Sequence, residues 1–247
     1  MIGVFDSGSG GLTVLSEIRK INPTADVIYL GDIKNAPYGT KTREELGALT
    51  VMLVNRLIDE GATKIVSACN SVSASIVLPM LSILSVRPFD IVEMVGPTVN
   101  ALRNENRKIL VAATSATIES GIYQLGFRAV GKEVEVIPIK ELAGAIEFGA
   151  SELEIEKIIK PHLAGVSNSL LVLGCTHYPL VKSTFEKILN GRETDLYDPA
   201  LAVANEVLKW KKEKGSGRTR FLVTKDSPYF RKRVDEMFGV GNNIEVI

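Results

Sequence analysis

The sequence predicts an α/β protein built from two similar parallel-sheet domains that face each other across a cleft. Short runs rich in Val, Ile and Leu alternate with longer amphipathic stretches, as parallel strands alternate with crossover helices. Most of the short runs show little polar alternation, which is typical of strands buried on both faces. A faint internal repeat divides the 247 residues into two halves, and this length suits one large or two small domains.

Eight runs are predicted as strands. They cover residues 2–5, 26–30, 64–68, 91–95, 108–112, 133–137, 169–173 and 220–223. Amphipathic helices are predicted between them. The clearest helix, residues 43–60, places Leu46, Leu53 and Leu57 on one face and ends at Gly61.

The end of the chain does not fit the repeat. A helix from residue 199 to about 214, a Gly-Ser-Gly turn, the last strand and a helix around residues 229–238 are left over, and we expect them to return to the first domain. The run at 209–214 is locally basic. We interpret it as a solvated helix end, because cations suit helix C-termini.

The repeat gives each half one polar strand end and one cysteine. Cys69 follows Asp6 by 63 positions, and Cys175 follows Thr114 by 61. We expect a first domain over residues 1–96 plus about 205–247 and a second over 97–204, joined near Gly96-Pro97. Because open parallel sheets bind ligands at the carboxyl ends of their strands, both cysteines are predicted at an active site in the cleft.

Composition excludes several classes of protein. Lys plus Arg and Asp plus Glu each number 29, so no net charge favours nucleic acid or an anionic membrane as a partner. Two cysteines without Cys-x-x-Cys spacing exclude a disulfide scaffold and a four-thiolate zinc site. The N-terminus has no basic secretory region, and the longest apolar stretch, residues 76–86, is too short to span a membrane. We therefore expect a cytoplasmic protein with reduced thiols.

A glycine-rich turn follows the first strand. The segment DSGSGGLT from Asp6 to Thr13 is a strand end, a turn and a helix start, where backbone N–H groups can approach and hold an anion. It lacks the lysine of a P-loop and the spacing of a dinucleotide fingerprint, so a small carboxylate ligand fits as well as a phosphate. A plain tight turn would explain the glycines but not the Asp.

Cys69 and Cys175 are the candidate reactive residues. A lone cytosolic cysteine is usually a small buried hydrophobe, but both of these precede polar residues just past a strand, where His177 or Asp6 could tune a thiolate. Removing a proton from one face of a carbon and returning one to the other needs two acid/base groups, which two thiols supply. A single-thiol hydrolase leaves one cysteine unexplained, and a pure binding module explains neither.

Five segments resemble the glutamate racemases, within the larger aspartate/glutamate racemase superfamily. They are IGVFDSGSGGLTVL, GDIKNAPYGTK, SACNSVSAS, AATSATIESG and LGCTHYPL, in the family's order. The resemblance implies interconversion of L- and D-glutamate without a cofactor, supply of D-glutamate for peptidoglycan and hence cell shape, and a homodimer. The alternative is aspartate racemisation on the same scaffold. Because the chain starts at the first strand, we expect no dependence on the peptidoglycan-precursor activator that some members need.

The resemblance also implies roles for individual residues. Cys69 would take the α-proton from D-glutamate and Cys175 from L-glutamate, with Asp6 assisting the first thiol and His177 the second. The positions that match the family's substrate-binding residues are Ser7, Pro37, Tyr38, Gly39, Asn70, Ser71, Thr114, Thr117 and Thr176. No metal ligand is implied.

Four features depart from the family pattern. Ser71 stands where many members have Thr, and Ser9 stands where an apolar residue is common. Residues 33–35 differ from the usual run before Pro-Tyr-Gly. Glu141 is a loose match to an acidic residue that lies near the site in some members. None of these departures touches the thiols, so they bear on affinity and rate more than on the type of reaction.

Overall fold

A computed structural model describes residues 1–76, 90–210, 215–239 and 243–247. In these residues the chain forms two separate all-parallel sheets. The strands of the first sheet are β1 (Ile2–Asp6), β2 (Val27–Gly31), β3 (Lys64–Ser67), β4 (Ile91–Val92), β9 (Thr219–Val223) and β10 (Ile244–Val246), in the spatial order β10-β9-β2-β1-β3-β4. The strands of the second sheet are β5 (Lys108–Ala113), β6 (Val134–Pro138), β7 (Ser169–Gly174) and β8 (Thr194–Tyr197), in the order β6-β5-β7-β8. The predicted class, two parallel-sheet α/β domains, is confirmed.

Helices cover both faces of each sheet. They are α1 (Leu12–Ile21), α2 (Arg43–Asp59), α3 (Asn70–Ile76), α4 (Val95–Ala101), α5 (Ser115–Glu119), α6 (Ile122–Ala129), α7 (Leu142–Glu147), α8 (Glu152–His162), α9 (Lys182–Leu189), α10 (Ala200–Val207) and α11 (Pro228–Phe238). Short 3₁₀ turns cover Ile33–Asn35, Tyr38–Thr40 and Tyr178–Val181. None of the helices in the described ranges is long and apolar enough to cross a membrane.

Successive side chains of the central strands enter different cores. On β1, Val4 packs into the apolar cluster shared with α1 and α10, whereas Phe5 packs into the cluster shared with α2. This division follows from the two-residue period of a strand, which sends neighbouring side chains to opposite faces. Every residue of β1 is buried, as the lack of polar alternation predicts.

Local sequence signals fix the best predicted helix. At the start of α2, the Thr42 hydroxyl accepts from the Glu45 N–H, and the Glu45 carboxylate accepts from the Thr42 N–H. This reciprocal capping box satisfies backbone donors that would otherwise lack a partner. The helix ends at Asp59, and Gly61 follows with φ of +92°, in the left-handed region that glycine adopts readily.

One predicted strand is half wrong. Residues 91–95 form a strand only over Ile91–Val92, and Val95 begins α4. The Glu93 carboxylate accepts from the N–H groups of Val95 (2.7 Å) and Gly96 (2.5 Å), which caps the helix and ends the strand. The predicted junction at Gly96-Pro97 therefore lies inside a helix.

Two strands were not predicted, and one helix is shorter than predicted. The edge strands β8 and β10 have only four and three residues, which is too few for a periodic signal to mark them. The helix predicted from 199 to about 214 ends at Val207 in α10, and residues 211–214 lie outside the described residues. All but the first residue of the apolar stretch 76–86 also lies outside them.

The chain returns to the first sheet after the second, as expected from the leftover C-terminal segment. Strand β9 pairs with β2 in parallel, and α10 and α11 contribute Val203 and Phe230 to the core beside β1. The domain limits of 1–96 plus about 205–247 and 97–204 remain a prediction.

Candidate active site

The two cysteines follow equivalent strands of the two sheets. Strand β3 ends two residues before Cys69 and pairs with β1, whose last residue is Asp6. Strand β7 ends immediately before Cys175 and pairs with β5, which ends immediately before Thr114. The carboxyl edges of two parallel strand pairs thus bring the repeated residues to one place, as the topology rule for open sheets predicts.

Both thiols line a single cavity. The space between its walls is small, about 330 Å³, and part of it is open to solvent. Its walls are Ser7, Ala36, Pro37, Tyr38, Gly39, Cys69, Asn70, Ser71, Thr114, Ala143, Glu147, Cys175, Thr176 and His177. Eleven of the thirteen residues predicted for the site are among them. The other two, Asp6 and Thr117, are fully buried and bond to the wall residues Thr176 and Thr114 respectively.

A histidine and a carboxylate stand beside Cys175. His177 Nδ1 lies 3.9 Å from Cys175 Sγ, and His177 Nε2 lies 2.7 Å from Glu147 Oε2. All three residues are buried. Burial by itself would lower the pKa of His177, but the hydrogen bonds to Cys175 and Glu147 and the Glu147 charge outweigh it and raise that pKa to about 10.

Glu147 is the ionised partner of this pair. Burial would raise the pKa of Glu147, but the bond and charge of His177 and the bonds from Ser9 lower it below its ordinary value. The Ser9 N–H and hydroxyl both donate to Oε2, at 2.9 and 2.6 Å. At neutral pH the pair is therefore a buried imidazolium and carboxylate beside the Cys175 sulfur.

Cys69 has different surroundings. Burial, and then the charge of Asp6, raise the pKa of the Cys69 thiol, so this thiol holds its proton. Burial also raises the pKa of Asp6, partly offset by the charge of His177 and the Gly8 N–H bond. Cys175 thus lies beside the His177 cation and Cys69 lies near the Asp6 carboxyl, so the two thiols have different electrostatic surroundings.

The glycine-rich turn holds carboxylates of the chain itself. The Gly8 N–H donates to Asp6 Oδ2 at 2.9 Å, and the Ser9 N–H donates to Glu147. A Cβ at Gly8 would lie 2.7 Å from the Glu147 carboxylate, and one at Gly10 would lie 2.5 Å from His177 Nδ1. The glycines are needed because the active-site side chains of the second domain press against this backbone.

Comparisons with known proteins now give the family. A family model described as Asp/Glu/Hydantoin racemase matches residues 9–207. This chain belongs to that family. The glutamate racemase of Aquifex aeolicus is 34% identical over 243 residues, covering 96% of this chain and 94% of its own length. The chain is accordingly an isomerase.

Solved structures of glutamate racemases have the same fold as this chain. Glutamate racemase isoform RacE1 of Bacillus anthracis superposes with a TM-score of 0.88 at 27% identity, over 100% of this chain and 97% of that one. Glutamate racemase of Francisella tularensis, solved in complex with D-glutamate, superposes with a TM-score of 0.83 at 32% identity, over 100% and 96%.

One acidic residue of this racemase-family site was not predicted. Glu141, the loose match from sequence, is exposed at the start of α7, whereas Glu147 at the end of that helix lines the cavity. A signal was available, because Glu147 follows the buried Ala143 by four residues and so shares its face of the helix. A charged residue on a buried helix face is rare unless it is paired.

Hydroxyl and amide groups form the other walls. Ser71 Oγ lies 2.9 Å from Thr114 Oγ1 and 3.4 Å from Thr117 Oγ1, so hydroxyls of both domains meet there. Asn70 Oδ1 accepts from the Tyr123 hydroxyl at 2.7 Å, and the Asn70 amide nitrogen has no partner among the described residues. That amide is a donor with unused capacity at the cavity wall.

Tyr38 is fixed by a buried acid. Its hydroxyl donates to Asp32 Oδ2, and Asp32 also accepts from Asn35 and from Thr224 at 2.7 Å. Burial and the Asp32 charge raise the pKa of Tyr38, so the phenol stays neutral. Asn35, in the run that departs from the family pattern, thus helps to hold a wall residue. No group of three or more His, Cys, Asp or Glu that could hold a metal occurs in the part of the chain that the structure describes.

The close approach at Gly10 gives a testable prediction. Gly10→Ala must displace His177 or the turn, so we expect racemisation to fall by about 100-fold. The matched control is Gly47→Ala, within α2, where a Cβ meets nothing within 4 Å. That change should keep full activity and raise the free energy of unfolding by about 0.5–1 kcal/mol. Equal activity of the two variants in a racemisation assay would contradict the argument.

Proposed function

We propose that this chain interconverts L- and D-glutamate by two-base proton transfer at Cα, with Cys69 and Cys175 as the bases. The observation that carries the proposal is that both thiols line one small cavity in unlike protonation environments. The relatives that align with this chain over nearly their full length are named glutamate racemases, which supports glutamate as the substrate.

The unlike environments suit opposite roles. The His177 imidazolium lies 3.9 Å from the Cys175 sulfur, whereas Cys69 retains its proton. In the L-to-D direction Cys175 takes the α-proton, and Cys69 delivers its own to the opposite face. The reverse direction starts from the exchanged protonation states. Each turnover conserves protons, and no bond other than C–H and S–H changes.

The cavity walls suit an amino acid with two carboxylates. Hydroxyls of Ser7, Ser71 and Thr114, together with the Asn70 amide, supply hydrogen-bond donors, and no Lys or Arg is among the described residues that line the cavity. Neutral donors hold a carboxylate without forming a fixed ion pair, which lets the substrate leave. Asp6 is the acidic group left to interact with the ammonium group, because the Glu147 charge is paired with His177.

The proposed physiological role follows from the proposed reaction. D-glutamate made in the cytoplasm would supply peptidoglycan synthesis and so support cell shape, without a cofactor. We propose a homodimer as the working assembly, and sedimentation of the purified protein would test this.

Substrate identity is tested by circular dichroism. Purified protein is given L-glutamate and L-aspartate in parallel, and the optical signal is followed to zero. Loss with L-glutamate is expected. Loss with L-aspartate alone would assign aspartate racemisation instead, and no loss with either would overturn the proposal.

The type of reaction is tested in deuterated water. Proton magnetic resonance should show solvent deuterium at Cα of the product in both directions, because the group that donates the proton exchanges with solvent. Product that keeps the substrate's hydrogen throughout would contradict exchange between two thiols and solvent.

A further inference from the structure

A partly buried cation, Arg233, bonds to residues of both domains next to the active site. Arg233 lies on α11, which packs on the first sheet through Phe230 and Val234. Its guanidinium donates from Nη1 to Ser9 Oγ and from Nη2 to the carbonyl of Ile146 at the end of α7. Its side chain is only 17% exposed. Ile146 packs in the core of the second domain, so one side chain holds both domains.

The contacts of Arg233 converge on Glu147. Arg233 Nη1 lies 3.6 Å from Glu147 Oε2. The Ser9 hydroxyl accepts from Arg233 and donates to that same oxygen, which in turn lies 2.7 Å from His177 Nε2. A continuous chain of hydrogen bonds therefore runs from Arg233 through Ser9 and Glu147 to His177, and His177 lies beside Cys175.

Electrostatics favour this arrangement. The positive guanidinium sits at the carboxyl end of α7, where backbone carbonyls without helical partners attract a cation. The same charge favours the ionised form of Glu147, which carries the negative charge that His177 requires.

A second contact of α11 reinforces the first. Tyr229, one turn before Arg233, lies against Gly149, where a Cβ would fall 2.0 Å from the tyrosine ring. Gly149 follows α7 with φ of +78°. Tyr229 and Arg233 thus contact the end of α7 at two points. Glu147 is the last residue of this helix.

We propose that Arg233 is a positioning residue of the active site, which fixes Glu147 through Ser9 and α7 and thereby orients His177 toward Cys175. This inference rests on the proposed function and adds a residue from beyond the segment matched by the family model, which ends at residue 207. It also gives Ser9, a departure from the family pattern, a role. The serine hydroxyl is the link that an apolar side chain could not provide.

The test compares Arg233→Met and Ser9→Ala with Lys232→Met. Lys232 is the neighbouring cation on α11, is 72% exposed and pairs with Glu236 at 3.7 Å, so it is the matched control. We expect Arg233→Met to lower kcat by about 10- to 100-fold with a smaller change in KM, because a misplaced catalytic group slows the chemical step. Ser9→Ala should lower kcat in the same way, and the double variant should lose less than the product of the two effects.

A readout that does not require catalysis separates a positioning role from a structural one. The chain has two histidines, so the imidazole resonances of His177 can be assigned with a His177→Gln variant and titrated without substrate. In Arg233→Met the His177 midpoint should fall from its wild-type value near 10 by about one pH unit or more, because Glu147 holds it less firmly. Lys232→Met should leave the midpoint and kcat unchanged.

The outcomes are distinguishable. An unchanged His177 midpoint and unchanged kcat in Arg233→Met, or a lower melting temperature alone, would overturn the positioning role. A wild-type protein that racemises no amino acid would overturn the proposed function, while a shifted midpoint in Arg233→Met would still support the link from Arg233 to His177.

Discussion

Replacing either cysteine with serine is expected to reduce racemisation by about 10³-fold. A serine hydroxyl is far less acidic than a thiol, so Cys69→Ser and Cys175→Ser each remove one of the two proposed bases while keeping a group of nearly the same size. Both positions are buried at the cavity wall, and the loss should occur without a large change in stability. Circular dichroism in both directions measures the effect.

In each cysteine variant, kcat/KM must fall by the same factor in the L-to-D and the D-to-L direction. L- and D-glutamate have the same free energy in water, so the equilibrium constant is one and no variant can change the ratio of the two kcat/KM values. Differences between the two thiols should therefore be seen in the exchange of the substrate's α-hydrogen with solvent. Cys69→Ser should still exchange the α-hydrogen of L-glutamate with solvent through Cys175, and Cys175→Ser should still exchange that of D-glutamate through Cys69.

The control for the cysteine variants is Ser67→Ala. Ser67 is buried near the end of β3, two residues before Cys69, and its hydroxyl has no partner among the described residues. Removing it should leave activity close to wild type. A Cys69→Ser variant with the wild-type rate would rule out the two-base mechanism, as would exchange of the wrong enantiomer by both single variants.

Glu147→Gln is expected to cost about 3 kcal/mol of stability near pH 6.5 and about 100-fold in racemisation rate. The change leaves His177, 5% exposed, buried without its counter-charge. Its pKa, raised to about 10 in the wild type, should then fall, because burial disfavours an unpaired imidazolium. The imidazolium beside Cys175 would be lost at neutral pH.

The dependence on pH has a definite sign. In the wild type the stabilisation from His177 is complete below pH 6.5, the ordinary value for histidine, and is lost as pH rises toward 10, because the unfolded chain releases a proton that the native protein keeps. The slope is up to roughly 1.4 kcal/mol per pH unit, the value for one proton. The pKa of Glu147 is lowered, so its contribution is complete above pH 4.5 and is lost in acid. The difference between wild type and Glu147→Gln should therefore be largest between about pH 4.5 and 6.5 and should shrink toward pH 10.

Urea unfolding at a series of pH values measures this difference. A matched control is Glu156→Gln, which breaks an exposed pair with Lys187 at 2.7 Å and should change the free energy of unfolding little at every pH, because solvent screens such a pair. A difference between wild type and Glu147→Gln that stays constant from pH 6 to 10 would show that Glu147 and His177 do not titrate as an ion pair.

Strands and helices whose signals lie within a few residues of each other in the sequence were predicted well. The buried strands and α2 carry their signals in apolar periodicity and end caps, which act over one or two turns of chain. The strand after Asp90 was predicted too long, because the Glu93 carboxylate caps α4 by a local bond that periodicity does not reveal. The edge strand β10 is too short to have a pattern and exists because β9 offers a free edge.

The sequence alone determined the α/β class, the repeat and the two thiols at strand ends. The burial of a strand and the polarity of its end can be predicted from residues that are close together in the chain. The tertiary structure decided which groups surround the thiols. Glu147 meets Ser9 across 138 positions, and Arg233 meets Ser9 across 224. Such pairs arise only when α7 and α11 both dock against the glycine turn. The charge on His177 is decided in the same way, because it depends on burial and on a carboxylate 30 positions away rather than on any neighbouring residue in the chain.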